Sequence, residues 1–416
     1  MQLLIHNIGT LYGILPKNKS ILKGEEMSHV KKIDDAYLLI EDGIIKSYGH
    51  HLDTPAHIEE IIDAEGQNVM PTFIDSHTHL VFAATRENEF EMKIEGKTYA
   101  EIAAAGGGIL NSAKSIANID SETLYQQAYN RVIDLIKLGT GALEIKSGYG
   151  LDGENELKML QVINRLKKEL PITIKTTYLA AHALPASANG NTDDYVNEVI
   201  EKTLPHLMSA TEIDYIDLFC ETGFFNENHA AQIIEAGAKH NLKAKIHGNQ
   251  LGHSGGALVA AKHNIVSVDH LEFLNQGEIE ALKNSKTIPV VLPNCSYYLK
   301  MQYAPAKTII ENNLPLAIAS DYNPGSAPSG NLWFCWSLAC TQMSLTPNQA
   351  FNALTINAAA ALEIADTHGS ITEGKVANLI FTKNHPSLSY FPYSFGENHV
   401  NRVMLKGEFL DHIEFD

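Results

Sequence analysis

Val69-Met70-Pro71-Thr72-Phe73-Ile74 runs directly into Asp75-Ser76-His77-Thr78-His79. This short apolar segment reads as a strand with two histidines at its end. Residues two apart on an extended chain point to the same side, so both imidazoles can face one ion. The pair alone carries little weight, because 19 histidines in 416 residues give about one His-x-His by chance. Its weight comes from what begins at the same place. From Val69 onward, short apolar runs alternate with helical segments, the signature of parallel βα units. Eight strand candidates follow in order: Val69–Ile74, Ala142–Lys146, Ile172–Tyr178, Tyr215–Phe219, Lys243–Ile246, Ile265–Val268, Pro289–Leu292 and Leu316–Ala319. Eight such strands can close into a (β/α)8 barrel, whose reactive groups project from the C-terminal strand ends.

Amphipathic helices fill the gaps. One is expected from Glu122 to Leu138, capped by Asp120 or Ser121 and stopped at Gly139, with Leu124, Ala128, Leu135 and Ile136 as its buried stripe. Another is expected over Pro347–Ala361. Outside the barrel the chain reads as strands and turns. Tyr37–Ile40 and Ile44–Tyr48 flank Glu41-Asp42-Gly43, which is hairpin chemistry, and Val403-Met404-Leu405 turns at Lys406-Gly407-Glu408. The simplest architecture is an α/β protein with a barrel over residues 69–363. Residues 1–68 and 364–416 would join in a discontinuous, small β-sandwich-like domain.

Hydrophobic residues make up 44% of the chain and charged residues 19%, a globular composition that leaves ample material for a large core. Lys and Arg number 31 against 49 Asp and Glu, a formal charge of −18. A surface this negative repels phosphate backbones and anionic lipid heads, which argues against nucleic-acid and membrane roles. Cys220, Cys295, Cys335 and Cys340 contain no C-x-x-C pair and read as buried thiols of a reducing compartment. The opening Met1–His6 has no cationic segment before a long apolar stretch, and Leu332–Cys340 is about half the length that crosses a bilayer. A cytoplasmic location is expected.

Other chemistry-bearing residues converge on the same barrel rim. His247 ends the fifth strand, His270 follows the sixth, Asp321 ends the eighth and His182 follows the third. His229 and His240 lack such placement and read as ordinary helix-surface residues. Three histidines with one carboxylate suit zinc or iron, one ion per chain. Such an ion lowers the pKa of a bound water to about 7, and Asp321 could bind it and relay the proton. That combination performs hydrolysis at a C–N bond.

At these residues the sequence resembles the amidohydrolase superfamily, which has D-x-H-x-H on its first strand, His on the fifth and sixth, and Asp on the eighth. Asn357-Ala358-Ala359 through Gly369-Ser370-Ile371 and Gly374 resembles that superfamily's closing signature, although Asn378 stands where Asp is usual. The resemblance is closer to the imidazolonepropionase family. It rests on Arg86-x-x-Glu89-Phe90, Tyr99-x-Glu101-Ile102, Gly106-Gly107-Gly108-Ile109, Glu144-Ile145-Lys146-Ser147-Gly148-Tyr149-Gly150-Leu151 and Asp321-x-Asn323-Pro324-Gly325. It implies hydrolysis of 4-imidazolone-5-propanoate to N-formimidoyl-L-glutamate in histidine degradation, by a homodimer. By that resemblance His77, His79, His247 and Asp321 are metal ligands. Arg86, Tyr149, His182, Asn323, Gly325 and Ser326 are substrate contacts. Taken alone, Arg86 reads as an exposed ion pair with Glu87 or Glu89, and Asn-Pro-Gly as a plain turn.

Gln250 can hydrogen-bond a substrate but cannot carry a proton. His270 is therefore a candidate for proton transfer or carbonyl polarisation, or alternatively for orienting the metal's water. Gln250 also counts against a metal-dependent deaminase of the same superfamily, which typically has Glu there. A dihydropyrimidinase-like binuclear hydrolase needs a lysine at the fourth strand end, where the chain reads Phe219-Cys220-Glu221; Lys146 and Lys175 lie on other strands. A metal-free scaffold is the third alternative, and losing any of the four ligands would have favoured it.

Overall fold

The structure, a computed structural model, describes residues 2–55, 58, 60–97, 101 and 106–410. Tyr99 and Ile102 of the motif quoted above lie outside the described residues. The barrel strands are Phe73–Asp75, Thr140–Lys146, Thr173–Ala181, Tyr215–Cys220, Lys243–Gly248, Ser267–His270, Ile288–Val291 and Ala317–Ile318. Each pairs in parallel with the next. Closure comes just beyond the first and last strands. The Asp321 and His79 amides donate to the His77 and Tyr322 carbonyls at 3.1 and 2.8 Å, and the Ser320 amide donates to Asp75 Oδ1 at 3.0 Å. The (β/α)8 barrel is therefore the observed architecture, with buried strands covered outside by helices.

The expected 122–138 helix spans Ser121–Lys137, and the Asp120 side chain accepts from the Thr123 amide as N-cap. Leu124, Tyr125, Ala128, Val132, Leu135 and Ile136 form its buried face. The expected 347–361 helix is two helices, Pro347–Leu354 and Ile356–Ala361, divided at Thr355 (φ −120°, ψ −94°).

The two ends of the chain meet in one mixed sheet of eight strands. From the N-terminal side come Gln2–Ile14, Lys31–Glu41, Ile44–His50, Glu60–Asp63 and Asn68–Pro71; from the C-terminal side come Leu379–Thr382, Val400–Leu405 and Glu408–Phe409. Both predicted hairpins are present, with Asp42 and Gly43 at φ 50° and 77°, and Lys406 and Gly407 at φ 53° and 81°. Ile5, Ile8, Leu38, Ile40, Val69, Leu379, Phe381 and Met404 form this sheet's own apolar core.

The stretch expected as one strand, Val69–Ile74, is two. Asn68–Pro71 pairs antiparallel with Leu379–Thr382 in the terminal sheet, and Phe73–Asp75 opens the barrel. Pro71 has no N–H to donate, and at Thr72 the chain changes partner. The Thr72 amide binds the Asn378 carbonyl at 3.0 Å, while the Phe73 amide binds the Gly139 carbonyl at 3.0 Å. Asn378 itself serves this junction, accepting from the Lys406 amide at 2.8 Å through its side chain. Its departure from the usual Asp therefore concerns the joint between the sheets.

Asn357 makes a second joint. Its fully buried amide accepts from the Leu22 amide at 2.9 Å and donates to the Leu22 and Leu316 carbonyls at 3.0 and 2.9 Å. Replacing it with alanine strands three buried backbone groups. Asn357→Ala should therefore destabilise the protein by about 2–4 kcal/mol. Denaturant titration checks this, and a loss below about 1 kcal/mol would show that the joint is dispensable.

Candidate metal centre and substrate cavity

The parallel strands deliver one polar group after another to the same rim. His77 Nε2 and His247 Nε2 each lie 3.2 Å from His79 Nε2, and all three residues are buried, at 0%, 3% and 3% exposure. Asp321 Oδ1 sits 3.6 Å from both His77 Nε2 and His79 Nε2. The other ring nitrogens of two histidines are committed beneath. His77 Nδ1 meets Asp269 Oδ2 at 2.6 Å, and His247 Nδ1 meets Asp217 Oδ2 at 3.1 Å. A carboxylate accepts, so these nitrogens donate and each Nε2 is left as a lone pair.

Lone pairs gathered this closely repel unless a cation lies between them. Burial pushes the His77 and His79 rings well below the usual imidazole range, with Lys146 and His247 adding to the effect. Added protons are therefore a poor remedy for that repulsion. The triad is suited to a metal ion, its three ligand atoms lying within 4.8 Å of one another.

Below the imidazoles lies a layer of charge with no exposure at all. It comprises Glu144, Lys146, Asp217, Lys245 and Asp269. Lys146 Nζ reaches Glu144 Oε1 at 2.8 Å and Asp217 Oδ2 at 2.7 Å. Lys245 Nζ donates to Glu144 and, at 2.7 Å, to the Ser76 carbonyl. Lys146 and Lys245 approach Asp269 at 3.8 and 3.9 Å. Three carboxylates against two ammoniums leave a formal negative excess under the triad, which favours a cation above it.

Above the triad is a cavity of about 490 Å³. All the sequence-nominated site residues line it except His77, which lies below its floor: His79, Arg86, Tyr149, His182, His247, Gln250, His270, Asp321, Asn323, Gly325 and Ser326. His182 stacks on His79 at 5.4 Å, and burial lowers its ring to about 3. Its Nδ1 bonds the Gly148 carbonyl at 3.0 Å, on the loop that carries Tyr149. Burial pushes the Asp321 carboxyl up.

Two residues behave in ways the sequence did not resolve. Arg86 pairs with Glu89 through Nε and Nη2 at 2.8 and 2.6 Å, the ion pair considered above. That pair is not exposed, however; the two side chains are only 13% and 8% accessible. Glu89 thereby aims the guanidinium into the cavity wall. Asn323 folds back on its own loop, accepting from the Gly325 and Ser326 amides at 2.8 Å and donating to the Asp321 carbonyl at 2.6 Å. It shapes the wall with an amide already bonded. Lys93 was missed. It lines the cavity and bonds the Gly325 carbonyl at 3.2 Å, and its position seven residues after Arg86 was the available signal.

Residues 68–410 match the amidohydrolase family model. The chain is 46% identical to the imidazolonepropionase of Flavobacterium johnsoniae over 99% of this chain and 100% of that one. The chain belongs to the imidazolonepropionase family. It is 45% identical to the Christiangramia forsetii protein over the same shares, and 37% to that of Thermoanaerobacter pseudethanolicus over 97% and 96%. Solved structures show the same fold at lower identity. A triazine hydrolase variant superposes with a TM-score of 0.76 at 16% identity, covering 98% of this chain and 94% of that one. A Xanthomonas campestris adenosine deaminase with bound zinc gives 0.71 at 16%, covering 98% and 92%.

Removing a carboxylate behind an imidazole should loosen the metal without touching a ligand. Asp269→Asn and Asp217→Asn should each weaken zinc affinity by about 10–100-fold in competition with a chelator. Wild-type affinity in both variants would deny these carboxylates an orienting part.

Proposed function

We infer that this imidazolonepropionase-family hydrolase opens the cyclic amide of 4-imidazolone-5-propanoate, giving N-formimidoyl-L-glutamate in histidine degradation. The observation that carries this reading is the buried imidazole triad at the floor of a cavity whose wall presents Arg86. His77, His79, His247 and Asp321 would hold one zinc or iron ion. When bound, that ion acidifies water and polarises the ring amide.

The chain's own residues do the rest. Asp321, raised by burial, takes the proton of the attacking water and can return it to the departing ring nitrogen. His270 faces the same space. Burial lowers its ring, but the Glu272, Asp321 and Asp269 carboxylates more than offset this, so it can donate to the ring carbonyl. Gln250 holds the ring by hydrogen bonds. Arg86 takes the propionate, for which a planar fork is suited. Tyr149 and His182 close the cavity over the ring, and the Asn323–Ser326 loop supports Arg86. Gln250 disfavours a deaminase, since an amide cannot protonate a leaving amine.

The family resemblance supports a homodimer, and the exposed Leu52, Tyr393 and Phe395 offer apolar surface for one. Among the described residues no helix is long and apolar enough to cross a membrane.

Incubation with freshly generated imidazolone propionate should abolish the ring chromophore only in metal-loaded protein. Chelation should remove turnover, and zinc or ferrous iron should restore it; full turnover in metal-free protein would sink the reading. Gly325 supplies a sharper test. A Cβ there would lie 2.2 Å from Arg86 Nη1, so alanine must push the guanidinium aside. Both Gly325→Ala and Arg86→Ala should raise KM about tenfold or more while changing kcat little. Unchanged KM in both would exclude Arg86 from substrate binding.

A further inference from the structure

A second group of ligating side chains sits beside the proposed catalytic centre. His270, Glu272 and Cys295 each offer one ligand atom within 4.8 Å of the others, and they are 2%, 2% and 0% exposed. His270 Nδ1 and Glu272 Oε1 are 3.6 Å apart. An ion bound at about 2.0–2.3 Å to nitrogen and sulfur spaces its ligands by about 3.3–3.8 Å. The cluster is also underused. His270 Nδ1 and Glu272 Oε2 are buried without a hydrogen-bond partner among the described residues. Glu272 Oε1 accepts from Ser296 Oγ at 3.0 Å, which fixes its carboxylate in place. The Cys295 thiol takes a long contact from Gln250 Nε2, at 3.5 Å, and lies against the Asp321 carboxyl and the Ser326 hydroxyl.

We propose that His270, Glu272 and Cys295 form a second, thiolate-containing cation site for a borderline-soft ion such as zinc or cadmium. Imidazole, carboxylate and thiolate together suit such ions and disfavour calcium and magnesium. Binding displaces the thiol proton to solvent. The site differs from the His77–His79–His247 centre in containing sulfur. An ion held on Nδ1 keeps the His270 ring from becoming doubly protonated, so a second equivalent of metal should inhibit hydrolysis. That consequence rests on the part given to His270 above, whereas binding itself does not.

The test is titration of Cd2+ into protein already holding one equivalent of zinc, followed by the ultraviolet thiolate-to-cadmium charge-transfer band. The first centre has no sulfur and contributes nothing to this band. A band saturating at one further equivalent is expected in the wild type and in Cys220→Ser. It should vanish in Cys295→Ser, and its midpoint should rise at least about tenfold in Glu272→Gln. No band in the wild type, or a band that survives in Cys295→Ser, would overturn the proposal. Turnover measured alongside should fall as the band grows; full turnover at saturation would remove the inhibitory part while leaving the site.

Discussion

The structure depends on one arrangement: five charged side chains, wholly buried inside the barrel, that hold two metal-facing imidazoles from below. Glu144, Lys146, Asp217, Lys245 and Asp269 come from four strands, and their ion pairs cross between them. Taking such groups out of water is costly, and replacing buried ion pairs with apolar residues often stabilises a protein. Their presence in the barrel interior therefore points to a purpose other than stability. The purpose visible here is orientation. Asp217 and Asp269 each grip a ring nitrogen, and the lysines keep those carboxylates in place.

The backbone around the site bears a similar cost. Asn249, His270, Leu271 and Asp321 all lie at positive φ, at 58°, 90°, 64° and 57°. Asn and Asp tolerate this region, but for His270 and Leu271 such angles cost on the order of 1–3 kcal/mol each. All four stand at or just beyond barrel strand ends. The chain bends sharply there and turns side chains inward that a regular strand exit would send elsewhere. The surrounding barrel, with its long helices and terminal sheet, supplies the stability that tolerates this strain.

Much of this was legible in the sequence because the barrel has a strong period. Alternating apolar runs located all eight strands, and the polar residue ending a run marked the rim. Where two sheets share one run of residues, that signal fails. Val69–Ile74 is apolar apart from Thr72, yet it divides there between two sheets, and the missing N–H of Pro71 is a faint hint of the change. Roles set by side-chain direction were equally hidden. Lys146 and Lys245 look like ordinary strand residues until the barrel turns them inward. The bonds that the Asn323 amide makes within its own loop were hidden in the same way. The Arg86–Glu89 ion pair was legible, but not that both partners would be buried in the cavity wall.

The buried carboxylates Asp269 and Asp217 fix the His77 and His247 rings with protons on Nδ1 and lone pairs on Nε2, ready for an ion. Imidazole nitrogen NMR on histidine-labelled, metal-free protein tests this most directly. In the neutral rings the proton should sit on Nδ1 in both residues; a proton on Nε2 of either neutral ring would overturn this reading.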